Sequence, residues 1–217
     1  VAGRPRIRVR MRPTFRNGEV VPSTTAGSNH VRYIGPQTTL RVTTDMPLAY
    51  LMGETEFALD RPIHLFIGVD EPVPDNPETL AASFLGETEA YWRGWVRGLT
   101  IPFEWQEAVI RSAITLKLCS YEDTGAIVAA LTTSVPESAN SGRNWDYRYC
   151  WLRDAYFAVG ALNRLGATRT MEGFIRFVLD AVLVGERDGG IAPVFPMCSP
   201  GDLIEKTAAA LRGYRSM

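Results

Sequence analysis

The sequence is poor in the residues from which metal and thiol sites are built. It contains two histidines, His30 and His64, and three cysteines, Cys119, Cys150 and Cys198. Both histidines lie in a strand-like part of the chain, so we expect no clustered metal site and no Ser-His-Asp triad. An odd number of widely spaced cysteines favours reduced thiols over a disulfide framework. The glycine-rich loops that hold nucleotides are also missing, and we expect no cofactor.

A small net charge and short apolar runs exclude two classes of partner. The net charge is −1, which is too small to attract nucleic acid. No apolar run reaches the roughly 18 residues of a membrane-spanning helix, and no signal peptide is recognisable. We therefore expect no nucleic-acid or membrane partner and a cytoplasmic location. Because the strand pattern starts at the first residues, we also expect earlier strands before Val1, with the native N-terminus missing.

The first part of the chain has the pattern of β-structure. Residues 6–12 alternate charged and apolar side chains, which predicts a half-buried strand. Residues 38–44 repeat the alternation, residues 63–69 form an apolar run, and Asn17-Gly18 predicts a turn. The alternation favours the solvated face of a strand over a nucleic-acid patch for the arginines Arg4, Arg6, Arg8, Arg10, Arg12 and Arg16. Strands joined by Pro- and Gly-rich turns are typical of a sandwich.

After a proline-rich stretch at residues 72–77, the pattern becomes helical. Helices are predicted for residues 87–96, 103–118, 154–165 and 203–211. A further helix is predicted after Thr168, which can cap its N-terminus. Gly166 is a typical helix stop. The helix after Thr168 has the clearest amphipathic stripe, formed by Phe174, Phe177, Val178, Ala181 and Val182. Consecutive helices joined by loops fit either a bundle or an α/α barrel.

The residues that carry chemistry are concentrated between Arg143 and Asp154. This segment contains two Trp, two Tyr, three Arg and two Asp. Aromatic faces can pack on a sugar ring, and Asp and Arg can hydrogen-bond its hydroxyls. Arg153 and Asp154 at a helix start can point into one site, where the helix N-terminus favours the ionised carboxylate. From the residues alone, a helix cap beside an aromatic–arginine cluster that braces a loop is an equally good interpretation.

The run NWDYRYCWLRDA at residues 144–155 closely resembles the signature of bacterial glucoamylase-like enzymes of glycoside hydrolase family 15, which includes glucoamylases, glucodextranases and some trehalases. Other stretches also resemble these enzymes, namely residues 6–15, 104–118, 124–137, 188–191 and 211–215. The resemblance implies a mixed β and α fold. Part of an N-terminal β-sandwich would occupy residues 1–76, a helical linker 77–102, and the first helices of an (α/α)6 barrel 103–217.

The resemblance also implies the residues of a substrate-binding site. In the family, the Arg-Asp pair of the signature binds the glucose at subsite −1, and this pair corresponds to Arg153 and Asp154. The signature Tyr and Trp line the same pocket and correspond to Tyr147 and Trp151. We expect the neighbouring residues Asn144, Trp145 and Asp146 to shape the loop.

The catalytic acid and base are not expected in this chain. In the family both are glutamates on later barrel loops, so we expect them beyond Met217. An inverting glycosidase needs two carboxyl groups at a defined separation. We assign neither role to the four carboxylates that could be taken for substitutes, which are Glu137, Glu186, Asp188 and Asp202. The chain alone is therefore expected to be inactive.

The activity implied for the parent protein is inverting hydrolysis of α-glucosidic bonds, releasing glucose from the non-reducing ends of an α-glucan or α-glucoside. One alternative is a trehalase of the same family, and another is a non-catalytic carbohydrate-binding or scaffold module. An incomplete barrel would expose apolar residues of its last helices, including Phe174, Val178 and Val182. Such a surface tends to associate, so we expect an oligomer.

Overall fold

The computed structural model describes residues 3–74, 76–141, 143–185, 192–198, 203–205 and 207–211. As expected, these residues form a mixed β and α fold, with antiparallel sheets and five helices. Their contacts divide the chain into two compact units, one made of residues up to 90 with 208–211 and the other of residues 91–207. Within the described ranges, no helix combines the length and apolarity that crossing a membrane requires. The sandwich, linker and barrel stay predictions.

The first unit is built around a four-stranded antiparallel sheet. In chain order its elements are β1 (Arg6–Ile7), β2 (Ser23–Ala26), β3 (His30–Ile34), β4 (Thr39–Thr44), α1 (Leu48–Met52), β5 (Phe57–Ala58) and β6 (Leu65–Gly68). The sheet has the order β2-β3-β4-β6, and β1 pairs separately with β5. Val31 of β3 lies opposite Val42 of β4, and both are completely buried. Tyr33, Met46 and Leu51 complete this core.

The predicted strand over residues 6–12 is wrong beyond its first two residues. Only Arg6–Ile7 forms a ladder, opposite Phe57–Ala58. The alternation persists because Val9 and Met11 pack against the core, whereas the arginines stay exposed and pair with carboxylates. The pairs are Arg4 with Asp60, Arg6 and Arg8 with Glu56, and Arg10 and Arg12 with Glu54. The period-two pattern therefore indicates burial correctly without requiring a strand.

The second unit is mainly helical. Its elements are the end of α2 (Pro77–Arg97), then α3 (Gln106–Leu118), β7 (Cys150–Trp151), α4 (Leu152–Arg164), α5 (Thr168–Gly185) and β8 (Val194–Phe195). Helices α4 and α5 pack against each other, and Gly166 between them has a φ of 83°, as expected for a helix stop. One core is formed by Ala126, Ile127, Cys150, Ala155, Val159 and Phe174. A second contains Ala113, Leu162 and Ala167, with Trp95 and Leu99 packed against it.

Helix starts differ from the predictions for identifiable local reasons. α2 begins at Pro77 rather than residue 87, because Asn76 Oδ1 accepts the N–H of Glu78 at 2.9 Å and proline is favoured at the first helical position. α3 begins after Trp105, whose φ of 60° is not helical. α4 begins at Leu152, two residues before the predicted start.

Two predicted segments near the end of the chain had different outcomes. A helix over residues 203–211 is wrong for the described residues of that range, which are not helical. The Gly- and Pro-rich stretch at residues 188–201, expected to be irregular, is described only at residues 192–198, where Val194–Phe195 forms the short strand β8.

The amphipathic stripe of α5 faces the protein. Phe174 is buried, and the other four members of the stripe are half-buried. The expectation that Phe174, Val178 and Val182 form an exposed patch is therefore wrong. The exposed apolar residues of α5 are instead Ile175, Leu179 and Leu183, spaced four residues apart along an adjacent stripe. Tyr156 and Phe157 of α4 are also exposed.

Candidate functional site

The segment that precedes α4 is hydrogen-bonded to residues 129–132, which run antiparallel to it. Ala129 N–H donates to Tyr149 O at 3.1 Å, and Ala130 N–H donates to Tyr147 O at 3.1 Å. In the opposite direction, Tyr147 N–H donates to Thr132 O at 3.0 Å. Farther out, Pro136 bridges to Asn144. Residues 129–132 thus form a backbone platform that positions the segment from Tyr147 to Tyr149.

Trp151 is anchored at the end of this segment, directly before α4. Cys150 and Trp151 form β7, which pairs with Phe195 and Val194 of β8. Cys150 is completely buried in the core, and burial raises the pKa of its thiol. Leu152 N–H donates to Pro193 O at 3.1 Å. The backbone around Trp151 is therefore fixed on both sides.

Three aromatic rings lie together at alternate positions of the segment. The rings of Tyr147 and Trp151 have centroids 5.9 Å apart and an interplanar angle of 38°. Tyr149 meets Trp151 edge to face, at 6.5 Å and 88°. All three residues are half-buried. Tyr149 was not among the residues predicted for the site, although its spacing of two residues from both Tyr147 and Trp151 could have indicated it.

Arg153 and Asp154 lie in the first turn of α4 and contact each other. Arg153 Nη2 donates to Asp154 Oδ2 at 3.2 Å. Their side chains remain 79% and 41% exposed, so both can reach a ligand. The N-terminal end of a helix stabilises a carboxylate such as Asp154. The structure thus forms two pairs, Tyr147 with Trp151 and Arg153 with Asp154. No hydrogen bond or ring contact among the described residues joins one pair to the other.

Asp146 and Arg148 hydrogen-bond to each other within the loop. Arg148 Nε and Nη2 donate to the two oxygens of Asp146 at 3.0 and 2.9 Å, and Arg148 N–H donates to Asp146 Oδ1 at 3.0 Å. These bonds lower the pKa of Asp146. Arg143 lies over the ring of Trp145, 6.0 Å from its centroid. The expectation that Asn144, Trp145 and Asp146 shape the loop stays a prediction.

Of the four carboxylates weighed as catalytic groups, the structure describes one. Glu137 is exposed, and its backbone N–H donates to Arg143 O at 3.1 Å. Glu186, Asp188 and Asp202 lie outside the described residues. In the described part of the chain, no three His, Cys, Asp or Glu side chains are grouped to hold a metal ion.

Two cavities of the second unit lie elsewhere. One of about 440 Å³ is lined by residues including Thr124, Phe177 and Phe195, and another of about 580 Å³ by residues including Lys117 and Thr168. Neither wall includes any of the four predicted site residues. Of these four residues, Tyr147 and Trp151 are half-buried, whereas the side chains of Arg153 and Asp154 are accessible to solvent.

The part of the chain that contains these side chains is similar to a family of glycoside hydrolases. Residues 105–195 match the sequence model of Glycosyl hydrolases family 15. The match runs from the residue before α3 to the end of β8, and so includes both pairs.

Several relatives extend the similarity beyond this region. The chain is 35% identical over 185 residues to the trehalase of Mycolicibacterium smegmatis and equally to that of Mycobacterium tuberculosis, which covers 81% of this chain and 27% of each relative. It is 37% identical over 131 residues to the trehalase of Thermoplasma acidophilum, covering 60% of this chain and 22% of that protein. The chain spans about a quarter of the length of these curated relatives. No solved structure matches it.

Proposed function

We propose that the whole protein carrying this sequence is a trehalase, an inverting glycoside hydrolase that cleaves the α-glucosidic bond of trehalose. The relatives named trehalase support this substrate better than the α-glucan of the glucoamylase-like interpretation. The observation that carries the proposal is the accessible Arg153–Asp154 pair at the start of α4, directly after the aromatic pair and within the matched family region.

Each of the four side chains would make a different contact with one glucose. Tyr147 and Trp151 offer ring faces to the apolar C–H face of the sugar. Arg153 makes one hydrogen bond within the described residues, to Asp154, and its other N–H groups are free to donate to hydroxyls. Asp154 can accept from two neighbouring hydroxyls, and its charge is stabilised by the helix N-terminus. Together these contacts would fix the orientation of the −1 glucose and its C1 atom.

Hydrolysis with inversion needs two further carboxyl groups, about 6.5–9.5 Å apart. One protonates the oxygen of the leaving glucose, and the other removes a proton from the water that attacks C1 from the opposite face. We assign neither group to this chain. The role proposed for Tyr147, Trp151, Arg153 and Asp154 is therefore to hold the sugar while chemistry occurs at C1.

The architecture and surroundings of the site follow the family resemblance. We place the four side chains at the mouth of an (α/α)6 barrel formed from residue 103 onward, preceded by a linker at 77–102 and part of a sandwich at 1–76. The antiparallel sheet of the first unit and the paired helices α4 and α5 support this arrangement. A cytoplasmic location without nucleic-acid or membrane partners belongs to the same proposal.

The proposal is tested by removing the charge of Asp154 in the whole protein. We expect Asp154→Asn to lower kcat/KM for trehalose about 10- to 150-fold, because hydrogen bonds to charged groups contribute about 1.5–3 kcal/mol. Asp180→Asn is the matched control, since Asp180 is an exposed carboxylate of α5. Equal activities of the two variants, with thermal unfolding unchanged, would remove Asp154 from the site.

Substrate choice is tested with the unmodified whole protein. Cleavage of trehalose with little activity on maltooligosaccharides is the expected result. The reverse preference would favour the glucoamylase-like interpretation, and sugar binding without hydrolysis would favour a carbohydrate-binding module. Inversion predicts that NMR detects β-glucose as the first product from the −1 site.

A further inference from the structure

We propose that Tyr149 is a positioning residue, whose ring holds the indole of Trp151 in the orientation that contacts the sugar. This inference rests on the proposed function, because it assumes that Trp151 touches the bound glucose. It adds a third aromatic residue to the site, acting through Trp151 rather than on the substrate. The edge-to-face contact between the two rings, with centroids 6.5 Å apart at 88°, carries the inference.

The backbone of Trp151 is fixed, but that alone does not orient its ring. Pairing of β7 with β8 and the bond from Leu152 N–H to Pro193 O determine where the Trp151 side chain begins. The indole can still rotate about its two side-chain torsions, which have several allowed positions. Ring contacts must therefore select one orientation. Tyr147 lies against the indole at a tilt of 38°, and Tyr149 meets it edge to face.

Tyr149 is itself well placed to act as a fixed support. Its carbonyl accepts the N–H of Ala129 at 3.1 Å, and the next residue, Cys150, is completely buried. The Tyr149 hydroxyl forms no hydrogen bond among the described residues, so the contact depends on the ring and not on the hydroxyl. Edge-to-face pairs are favourable because the positive edge of one ring meets the negative face of the other.

This difference between ring and hydroxyl defines the experiment. In the whole protein, Tyr149→Leu removes the ring and Tyr149→Phe keeps it. We expect Tyr149→Leu to raise KM for trehalose about three- to tenfold, the range that the energy of one aromatic pair predicts, with kcat changed less than twofold. Tyr149→Phe should restore the parent KM. Tyr156→Leu is the matched control, because Tyr156 makes an edge contact with Phe157 and none with Trp151 among the described residues.

A spectroscopic measurement separates positioning from a general loss of structure. The contribution of Trp151 to the near-UV circular dichroism is obtained as the difference between the parent and Trp151→Phe. We expect Tyr149→Leu to reduce this contribution, and Tyr149→Phe and Tyr156→Leu to leave it unchanged. If Tyr149→Leu does not fold, Tyr149→His, which keeps a smaller ring, should show intermediate changes in both KM and the Trp151 signal.

The outcomes distinguish this inference from the proposed function. An unchanged Trp151 signal in Tyr149→Leu, or equal effects of Tyr149→Leu and Tyr149→Phe, would overturn the positioning role. If Trp151→Phe leaves KM unchanged for trehalose and maltooligosaccharides, the sugar contact in the proposed function is wrong. In that case the Trp151 signal of Tyr149→Leu still decides whether Tyr149 orients the indole.

Discussion

Asp146 and Arg148 show how one pair of residues can stabilise the segment that carries the site. Arg148 holds the pKa of Asp146 below its usual value through two side-chain hydrogen bonds, helped by the bond from its own backbone N–H. A carboxylate with a lowered pKa in the folded state stabilises the fold above its unfolded pKa of about 3.9. This contribution is lost as the pH falls through the lower pKa of the folded state.

We predict that Asp146→Asn destabilises the protein only modestly, by about 0.2–1 kcal/mol at pH 7. The pair is bidentate, but Arg148 remains 54% exposed and solvent weakens the attraction. The loss should shrink as the pH falls below about 3.9, where the parent carboxylate also becomes protonated. Thermal unfolding of parent and variant from pH 7 to pH 3 measures both effects, with Asp180→Asn as the exposed control. A difference that grows on acidification would contradict the predicted sign.

The residues of the candidate site could be predicted from sequence more easily than their surroundings. The mixture of aromatic, arginine and aspartate side chains indicated the segment, and a helix start near Asp154 put Arg153 and Asp154 side by side, as the structure has them. The platform at residues 129–132 could not be predicted in this way. It depends on hydrogen bonds between backbone atoms roughly 15–20 residues apart, which leave no local pattern in side-chain type.

At the scale of secondary structure, the loop before this platform meets α5 at a contact between two glycines. Gly125 has a φ of 83°, and a Cβ on it would lie 2.1 Å from the carbonyl oxygen of Gly173. Both facts exclude a side chain on residue 125. The left-handed conformation is costly for residues other than glycine, and the backbone of Gly173 cannot move aside. This contact brings the loop against α5 beside the core of Ala126, Ile127 and Phe174.

We therefore predict that Gly125→Ala destabilises the protein by about 2–5 kcal/mol, from backbone strain and overpacking together. Gly160→Ala is the matched control. Gly160 is exposed on α4, and a Cβ added to it would meet no heavy atom within 4 Å, so alanine should stabilise the helix by about 0.5–1 kcal/mol. Chemical denaturation of both variants gives the comparison, and similar effects of the two substitutions would exclude the proposed close approach.

Periodicity predicted the buried faces better than it predicted element boundaries. The stripe of α5 was found at five spaced positions because burial of one helix face imposes a 3.6-residue period. The boundaries of the helices depended on single residues, which do not change the periodicity of the apolar positions. Asn76 caps α2, which begins at Pro77, ten residues before the predicted start, and the left-handed backbone of Trp105 delays the start of α3.

For the whole chain, the distribution of apolar surface matters more than its net charge of −1. The arginines at the N-terminus pair with Glu54, Glu56 and Asp60, so they do not form an isolated basic patch. The second unit, in contrast, exposes large apolar side chains on two adjacent helices. They are Tyr156 and Phe157 of α4 and Ile175, Leu179 and Leu183 of α5. Exposed apolar surface tends to drive association in water where it is contiguous, as the four-residue spacing along α5 makes it for Ile175, Leu179 and Leu183.

We predict that the 217-residue chain, expressed by itself, self-associates through this surface. Leu179 and Leu183 are 57% and 65% exposed, so replacing both with Gln should weaken association without removing core packing. Arg176→Gln on the same helix is the control, since it removes an exposed polar residue outside the apolar stripe. Sedimentation velocity over a concentration series should show larger species for the parent and the control than for the double variant. A monomeric parent at every concentration would mean that these side chains do not drive association, and an unchanged double variant would assign the contact to another surface.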